Sequence, residues 1–330
     1  MSFKLRVITA FVVGSIWLIS CNPQINYLLI SVPEEGSLRL TQYSNESEKI
    51  VAPGVYMDVT SQILRWWAAP LLAVSPNGEK LAYIGSSNGF QNLYLKNIEG
   101  GRSVVQRTFN RNVIDMSYSP KGDFISFTEN KDGNFNIYMI NANEGVAVQQ
   151  IVATSANELS PSFSSNGENI FYAKAEGGGR YFIWSFNIKS TLMTQYTEGF
   201  TPVLLDEGEQ IVVTRNSRDG SRGEIWSIHL KKGTETLILS DPKRGFSSPT
   251  VSKDGKKIIC VGTTEKSSTK PQNLDLYMVN VDGSKLTQLT FHPGHDVSPI
   301  WSPDGNSVFF LSQRGNKEGN YNVWKMDIAN

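Results

Sequence analysis

One phrase recurs along this chain and constrains it more than any other feature. It reads SPNG at 75–78, SPKG at 119–122, SSNG at 164–167, LDEG at 205–208, SKDG at 252–255 and SPDG at 302–305. The six closing glycines, Gly78, Gly122, Gly167, Gly208, Gly255 and Gly305, are 41 to 50 residues apart. Proline stands three residues before the phrase in four units, at Pro161, Pro202, Pro249 and Pro299. Glycine in the left-handed conformation ends a tight turn, and an apolar run follows each phrase, such as KLAYIG, NIFYAK or SVFFLS. A second turn then leads to an aliphatic–aromatic pair: Leu93-Tyr94, Ile137-Tyr138, Ile183-Trp184, Ile225-Trp226, Leu276-Tyr277 and Val323-Trp324. A fourth, more polar segment completes the unit. Four short strands at this period describe one blade of an all-β propeller, and a blade buries its faces only by stacking on others. The aliphatic–aromatic pairs are therefore expected to pack between blades.

Residues 22–70 extend the pattern. Gly36 lies 42 residues before Gly78, Val55-Tyr56-Met57 echoes the third strand, and QILRWW at 62–67 stands where a fourth strand belongs. The expectation is seven blades, the first degenerate; six blades with an N-terminal extension is the alternative. The last unit stops at Asn330 without a fourth strand, so closing the ring is expected to use the early strand NYLLIS at 26–31, or else to leave a three-stranded final blade.

The first twenty residues read as a processing segment. Lys4 and Arg6 precede a 14-residue apolar run at 7–20, short for a bilayer span and suited to a secretory signal. It ends in LISC at 18–21, which resembles the lipobox of bacterial lipoproteins. That resemblance implies cleavage before Cys21, acylation of Cys21, a short tether at 21–25 and a single propeller domain over 26–330. Asn22 after the lipidated cysteine favours the outer membrane. With Cys21 lipidated, Cys260 has no partner for a disulfide, and it sits in the apolar run KIICVG.

With 31 basic and 31 acidic residues the chain has no net charge, so a nucleic-acid partner is not expected. The units SPIWSPDGNSVFFLSQRGNKEGNYNVWKMD at 298–327 and YSPKGDFISFTENKDGNFNIYMIN at 118–141 resemble TolB-type, WD40-like propeller repeats of bacterial envelope proteins. The resemblance runs from about 70 to 330 and more weakly over 25–70. The resemblance implies an envelope propeller; together with the lipobox, the neutral charge and the sparse chemistry, the expectation is a lipid-anchored scaffold that binds a protein and needs no cofactor. Similar repeats also occur in oligogalacturonate lyases, which keeps a metal-dependent lyase or a glycan-binding propeller as the alternative.

Candidate chemistry is sparse. Ser87 in GSSNG fits the spelling of a nucleophile elbow, but that motif needs a helix after the serine and a strand pattern follows here. NKDGN at 130–134 lacks the alternating oxygens and closing glutamate of a calcium loop. His292, His295 and Asp296 in FHPGHD carry nitrogen and oxygen donors suited to a divalent metal, and Glu158 occupies the place of Asp296 in another unit. The bland reading gives the two acids a loop-capping role. Arg65, Trp66 and Trp67 form a compact Arg–Trp cluster of the kind that anchors protein partners.

Overall fold

The computed structural model describes residues 28–32, 36–42, 70–87, 89–99, 104–205, 208–220, 222–263, 273–314 and 321–328. Five of the repeats each form a four-stranded antiparallel sheet in chain order, and the sixth contributes three strands to a five-stranded one. The first strands of the six sheets are Leu72–Val74, Val113–Tyr118, Glu158–Phe163, Phe200–Leu205, Phe246–Val251 and Asp296–Trp301. We number the blades 1 to 6 in that order. Neighbouring first strands pack against one another, and that of blade 6 returns to that of blade 1.

The ring therefore has six blades and not seven. Leu28–Val32 and Gly36–Gln42 form a hairpin that joins blade 6: Gly36–Gln42 pairs with the third strand, Asn322–Asp327, and Leu28–Val32 lies outside it. Gly36 thus opens the second strand of a hairpin, but that hairpin does not found a blade. The reason lies at the edge of Asn322–Asp327 in blade 6, which Gly36–Gln42 covers. Uncovered, that edge would offer unpaired backbone donors and acceptors, and a lone two-stranded hairpin would be marginal in water. Ring closure uses 36–42 next to the last strand, with 28–32 added beyond it. Val55–Met57 and Gln62–Trp67 lie outside the described residues.

Contacts at the seam repeat those inside the ring. Leu71 N donates to Ser298 Oγ at 3.3 Å, from blade 1 to blade 6. The turn glycine of one blade faces the turn of the blade before it: a Cβ on Gly122 would lie 3.3 Å from Pro76 Cδ, and one on Gly78 would lie 4.0 Å from Pro303 Cδ. All six repeat glycines have positive φ, between 69° and 95°.

The recurring prolines mark a second device. Ser160, Thr201, Ser248 and Ser298 precede them with φ of 45° to 55°, and the strand register shifts at each of these places. Proline donates no ladder hydrogen bond, so a strand buried at the axis takes it at a bulge.

The aliphatic–aromatic pairs pack between blades as expected. Their aliphatic members are at most 1% exposed. Ile137 of blade 2 joins Tyr172 and Trp184 of blade 3, and Ile225 of blade 4 joins Phe246 and Tyr277 of blade 5. Adjacent residues of a strand point to opposite faces, so each pair serves two interfaces. Truncating such a buried aliphatic to alanine costs about 2–5 kcal/mol. Cys260 is a free, fully buried thiol.

Candidate functional site

Because every blade repeats one layout, equivalent residues occupy equivalent places on the face that carries the connections between blades. The residue before each aliphatic–aromatic pair reads Asn92, Asn136, Phe182, Glu224, Asp275 and Asn322. Five of the six are polar, and that of blade 5 is a buried acid. Asp275 is 2% exposed. Gln288 Nε2 donates to its Oδ2 at 3.0 Å, Asn273 Nδ2 to its Oδ1 at 3.3 Å, and Thr290 Oγ1 lies 3.4 Å from Oδ1.

Blade 6 adds two charges. Asp296 opens its first strand and Arg314 follows its second; they are 0% and 5% exposed, and Arg314 Nη2 lies 2.7 Å from Asp296 Oδ2. One guanidinium thus serves two buried acids. Burial pushes the Asp275 carboxyl up to about 7, the nearby Asp296 charge adds to the rise, and Arg314 opposes it. Asp296 is likewise raised by burial, against the pull of Arg314. Arg314 also stacks on Trp324 at 5.7 Å and on Phe310 at 5.8 Å.

The histidines sit beside this cluster with their Nδ1 atoms engaged. Gly294 N donates to His292 Nδ1 at 2.9 Å. His295 Nδ1 lies 2.9 Å from Asn273 Oδ1 and 3.2 Å from Leu274 N. Gln313 fixes the loop from both sides: His295 N donates to its Oε1 at 2.9 Å, and its own N donates to His295 O at 3.1 Å. Burial lowers both imidazoles below the usual histidine value, with Arg314 adding to the effect at His292. Asp296 belongs to the arginine, not to the histidines.

Glu158 takes the Asp296 place in blade 3, three blades away around a ring of six. It is fully buried, its Oε1 accepts from Thr154 Oγ1, and Thr154 N lies 3.4 Å from Oε2. Burial raises its carboxyl. Sequence reasoning thus aligned Glu158 with Asp296 correctly, but the ring puts them on opposite sides. Among the described residues no three His, Cys, Asp or Glu side chains group closely enough to hold a metal.

The other candidates resolve as follows. The strand Lys80–Ser87 turns directly into Phe90–Asn97, with Ser87 paired to Phe90, so the GSSNG segment is a β-hairpin. NKDGN is a hairpin turn in which Gly133 N donates to Asn130 Oδ1 at 3.0 Å. Cys21, Arg65, Trp66 and Trp67 lie outside the described residues.

Sequence reasoning missed Asp115, Asp275 and Arg314. Asp115 links two blades, accepting from Thr128 N of blade 2 and Ser160 N of blade 3, each at 2.9 Å, and burial raises its carboxyl to about 6. Its signal was available, since it stands where the other units carry the residue before the proline. Asp275 was visible in the same way, as the one aspartate in its repeat position. Arg314 had no repeat counterpart to mark it.

Two exposed aromatics complete the face. Phe109 and Phe291 are 54% and 53% exposed and hold the same place after the fourth strands of blades 1 and 5. Both are braced alike: Gln106 Nε2 donates to Thr108 O at 2.8 Å, and Gln288 Nε2 to Thr290 O at 2.9 Å.

The TolB beta propeller domain matches residues 60–270, about two thirds of the sequence. The chain belongs to that family. The TolB-family match ends before blade 6, so His292, His295, Asp296 and Arg314 lie beyond it. The Tol-Pal system protein TolB of Francisella tularensis subsp. mediasiatica is 29% identical over 239 residues, covering 69% of this chain and 53% of that protein. The chain spans about half the length of the curated relatives it matches. Among solved structures, TolB from Acinetobacter baumannii superposes with a TM-score of 0.62 at 17% identity, over 76% of this TolB-family chain and 64% of the other. An oligogalacturonate lyase from Vibrio parahaemolyticus superposes with a TM-score of 0.56 at 13% identity, over 92% and 96%. At these identities both likenesses show the fold alone.

Proposed function

We propose that this chain is a lipid-anchored propeller of the bacterial cell envelope that binds a protein partner and performs no catalysis of its own. The observation that carries the reading is the pair Phe109 and Phe291. They are large, more than half exposed and held alike by a glutamine–threonine brace on one face. Exposed aromatics on a rigid frame are anchors for protein partners. The match to a Tol-Pal system protein supports an envelope setting. In this reading 1–20 is a signal peptide, Cys21 carries the lipid, 21–25 is a tether and 26–330 forms the propeller, held at the outer membrane. Arg65, Trp66 and Trp67, which precede blade 1 in the sequence, are further partner contacts in this reading.

The test is affinity capture from native membranes followed by mass spectrometry, comparing the parent chain with the Phe109→Ala/Phe291→Ala variant. A partner lost at least tenfold from the variant supports the reading, and an unchanged capture profile overturns it. Fatty-acid labelling that disappears in Cys21→Ser tests the anchor separately. A metal-dependent, lyase-like reading would require Asp296 to leave Arg314 and the histidines, whose Nδ1 atoms are engaged, to reach the ion through Nε2. A stoichiometric divalent ion, lost in His295→Ala, would put that reading first.

A further inference from the structure

Arg107 follows the outer strand of blade 1 and is only 7% exposed. Its Nη2 lies 2.7 Å from Asn141 O, 2.7 Å from Gly145 O and 3.1 Å from Glu144 O, all in the turn of blade 2 between its third and fourth strands. Three carbonyls fix the guanidinium plane. Nη1 makes no hydrogen bond, and Nε is buried without a partner. Beside it runs a groove of about 130 Å³ lined by Lys80, Asn97, Arg107 and Asn143, with Leu95 and Val105 as apolar wall. Lys80 Nζ donates to Asn143 Oδ1 at 3.0 Å. Among the described residues neither Lys80 nor Arg107 pairs with a carboxylate.

We propose that this groove between blades 1 and 2 is a binding site for a phosphate group. Two cations share one recess without a counter-charge, and the recess has room for several waters, hence for an oxyanion. A carboxylate gripped by a planar, two-pronged arginine needs two parallel N–H donors. Here Nη2 is committed to carbonyls and Nε is enclosed, so the arginine offers Nη1 alone. Separate donors from Nη1 and the lysine ammonium suit the diverging oxygens of a tetrahedral anion, and lysine serves phosphate well as a point charge. The three-carbonyl clamp keeps the arginine in place whether or not the anion is bound.

The test is an amide NMR titration of the purified full-length chain with inorganic phosphate at constant ionic strength, with chloride as the matched control. Saturable shifts centred on Lys80, Arg107 and Asn143 are expected, at least tenfold weaker in Lys80→Met and unchanged in Lys231→Met, a lysine on another blade. Vesicles of phosphatidylglycerol that compete with phosphate, where phosphatidylcholine does not, identify the source as a lipid headgroup; free phosphate binding without such competition identifies a soluble anion. Shifts that do not saturate, that chloride reproduces, or that Lys80→Met retains in full overturn the proposal. Mapping on the parent chain decides the matter even where the variant folds poorly.

Discussion

In blade 1, Gly85 lies under the ring of Tyr94; in blade 5, Gly262 lies under that of Tyr277. Thr108 Oγ1 accepts from Leu93 N and Thr290 Oγ1 from Leu276 N, both at 2.9 Å. The glutamine brace and the exposed phenylalanine recur in both. The frames differ at the residue the threonine faces. In blade 1 it is Asn92, whose Oδ1 receives Thr108 Oγ1 at 3.2 Å and Arg111 N at 3.4 Å. In blade 5 it is Asp275, and the next blade supplies Asp296 and Arg314. A place that an amide fills without charge in one blade thus holds a titratable acid in the other. The repeat sets the geometry, and a single change within it sets the electrostatics.

The comparison breaks most sharply at Arg314, which has no counterpart in blade 1. Arg314→Met leaves Asp296 buried without its cation, and orphaning one member of such a pair costs about 3–5 kcal/mol. Urea unfolding at pH 7 should show this loss and show progressively less of it as pH falls, because burial raises both Asp275 and Asp296 and protonation removes the orphaned charge. A loss below about 1 kcal/mol at pH 7 would mean the pair is not an isolated buried one.

Exchanging the slot residues comes next. Asp275 rises from 3.8 to about 7 on folding, so the native state holds its proton more tightly than the unfolded chain. Below about pH 4 both states are protonated and the group contributes nothing to the pH dependence. Between about pH 4 and pH 7 the unfolded chain ionises first, and stability falls as pH rises. Each pKa unit is worth about 1.4 kcal/mol, so the decline is on the order of 4 kcal/mol. Asp275→Asn should remove that decline and be more stable than the parent chain at pH 8. Asn92→Asp should introduce a decline of its own, since no Asp296–Arg314 pair lies beside it. Parallel pH profiles for parent and Asp275→Asn would show that Asp275 does not titrate differently in the two states.

The two glycines test how firmly each frame is held. A Cβ on Gly262 would lie 2.5 Å from Tyr277 Cδ2 and 2.9 Å from Phe246 Cε1; on Gly85 it would lie 2.9 Å from Tyr94 Cδ2. Tyr277 is 3% exposed and Tyr94 is half-buried, so only Tyr94 has open space to move into. Overpacking a buried site costs about 1–3 kcal/mol, the range expected for Gly262→Ala, with Gly85→Ala below it. Equal losses in thermal or urea unfolding would show that the two rings are equally confined.

What the sequence disclosed follows from the same division. The turn glycines, the third-strand pairs and the period were legible because each is repeated six times, and repetition separates a structural demand from chance. The number of blades was misjudged because 28–42 carries genuine hairpin signals, and a local signal does not say which sheet a hairpin will join. Only the open edge of Asn322–Asp327 decides that, and it is a property of the assembled ring. The site was harder for a related reason. His292 and His295 drew notice as rare residues close in sequence, whereas Asp275, Asp296 and Arg314 come together from two blades.

The finest distinction between the frames lies in their glutamines. Gln106 Nε2 donates to Thr108 O, and Gln288 Nε2 donates both to Thr290 O and, at 3.0 Å, to Asp275 Oδ2. Removing either brace frees one carbonyl, and a net hydrogen bond of this kind is worth about 0.5–1.5 kcal/mol. Gln106→Ala should therefore lose about that much at every pH. Gln288→Ala loses the same bond and also a donor that favours the charged form of Asp275. Its carboxyl should rise further, so the deficit of Gln288→Ala relative to Gln106→Ala should be small at pH 4 and widen towards pH 8. Urea unfolding of both variants across that range reads the difference directly. A constant offset would mean that Gln288 supports the loop alone and leaves the acid untouched.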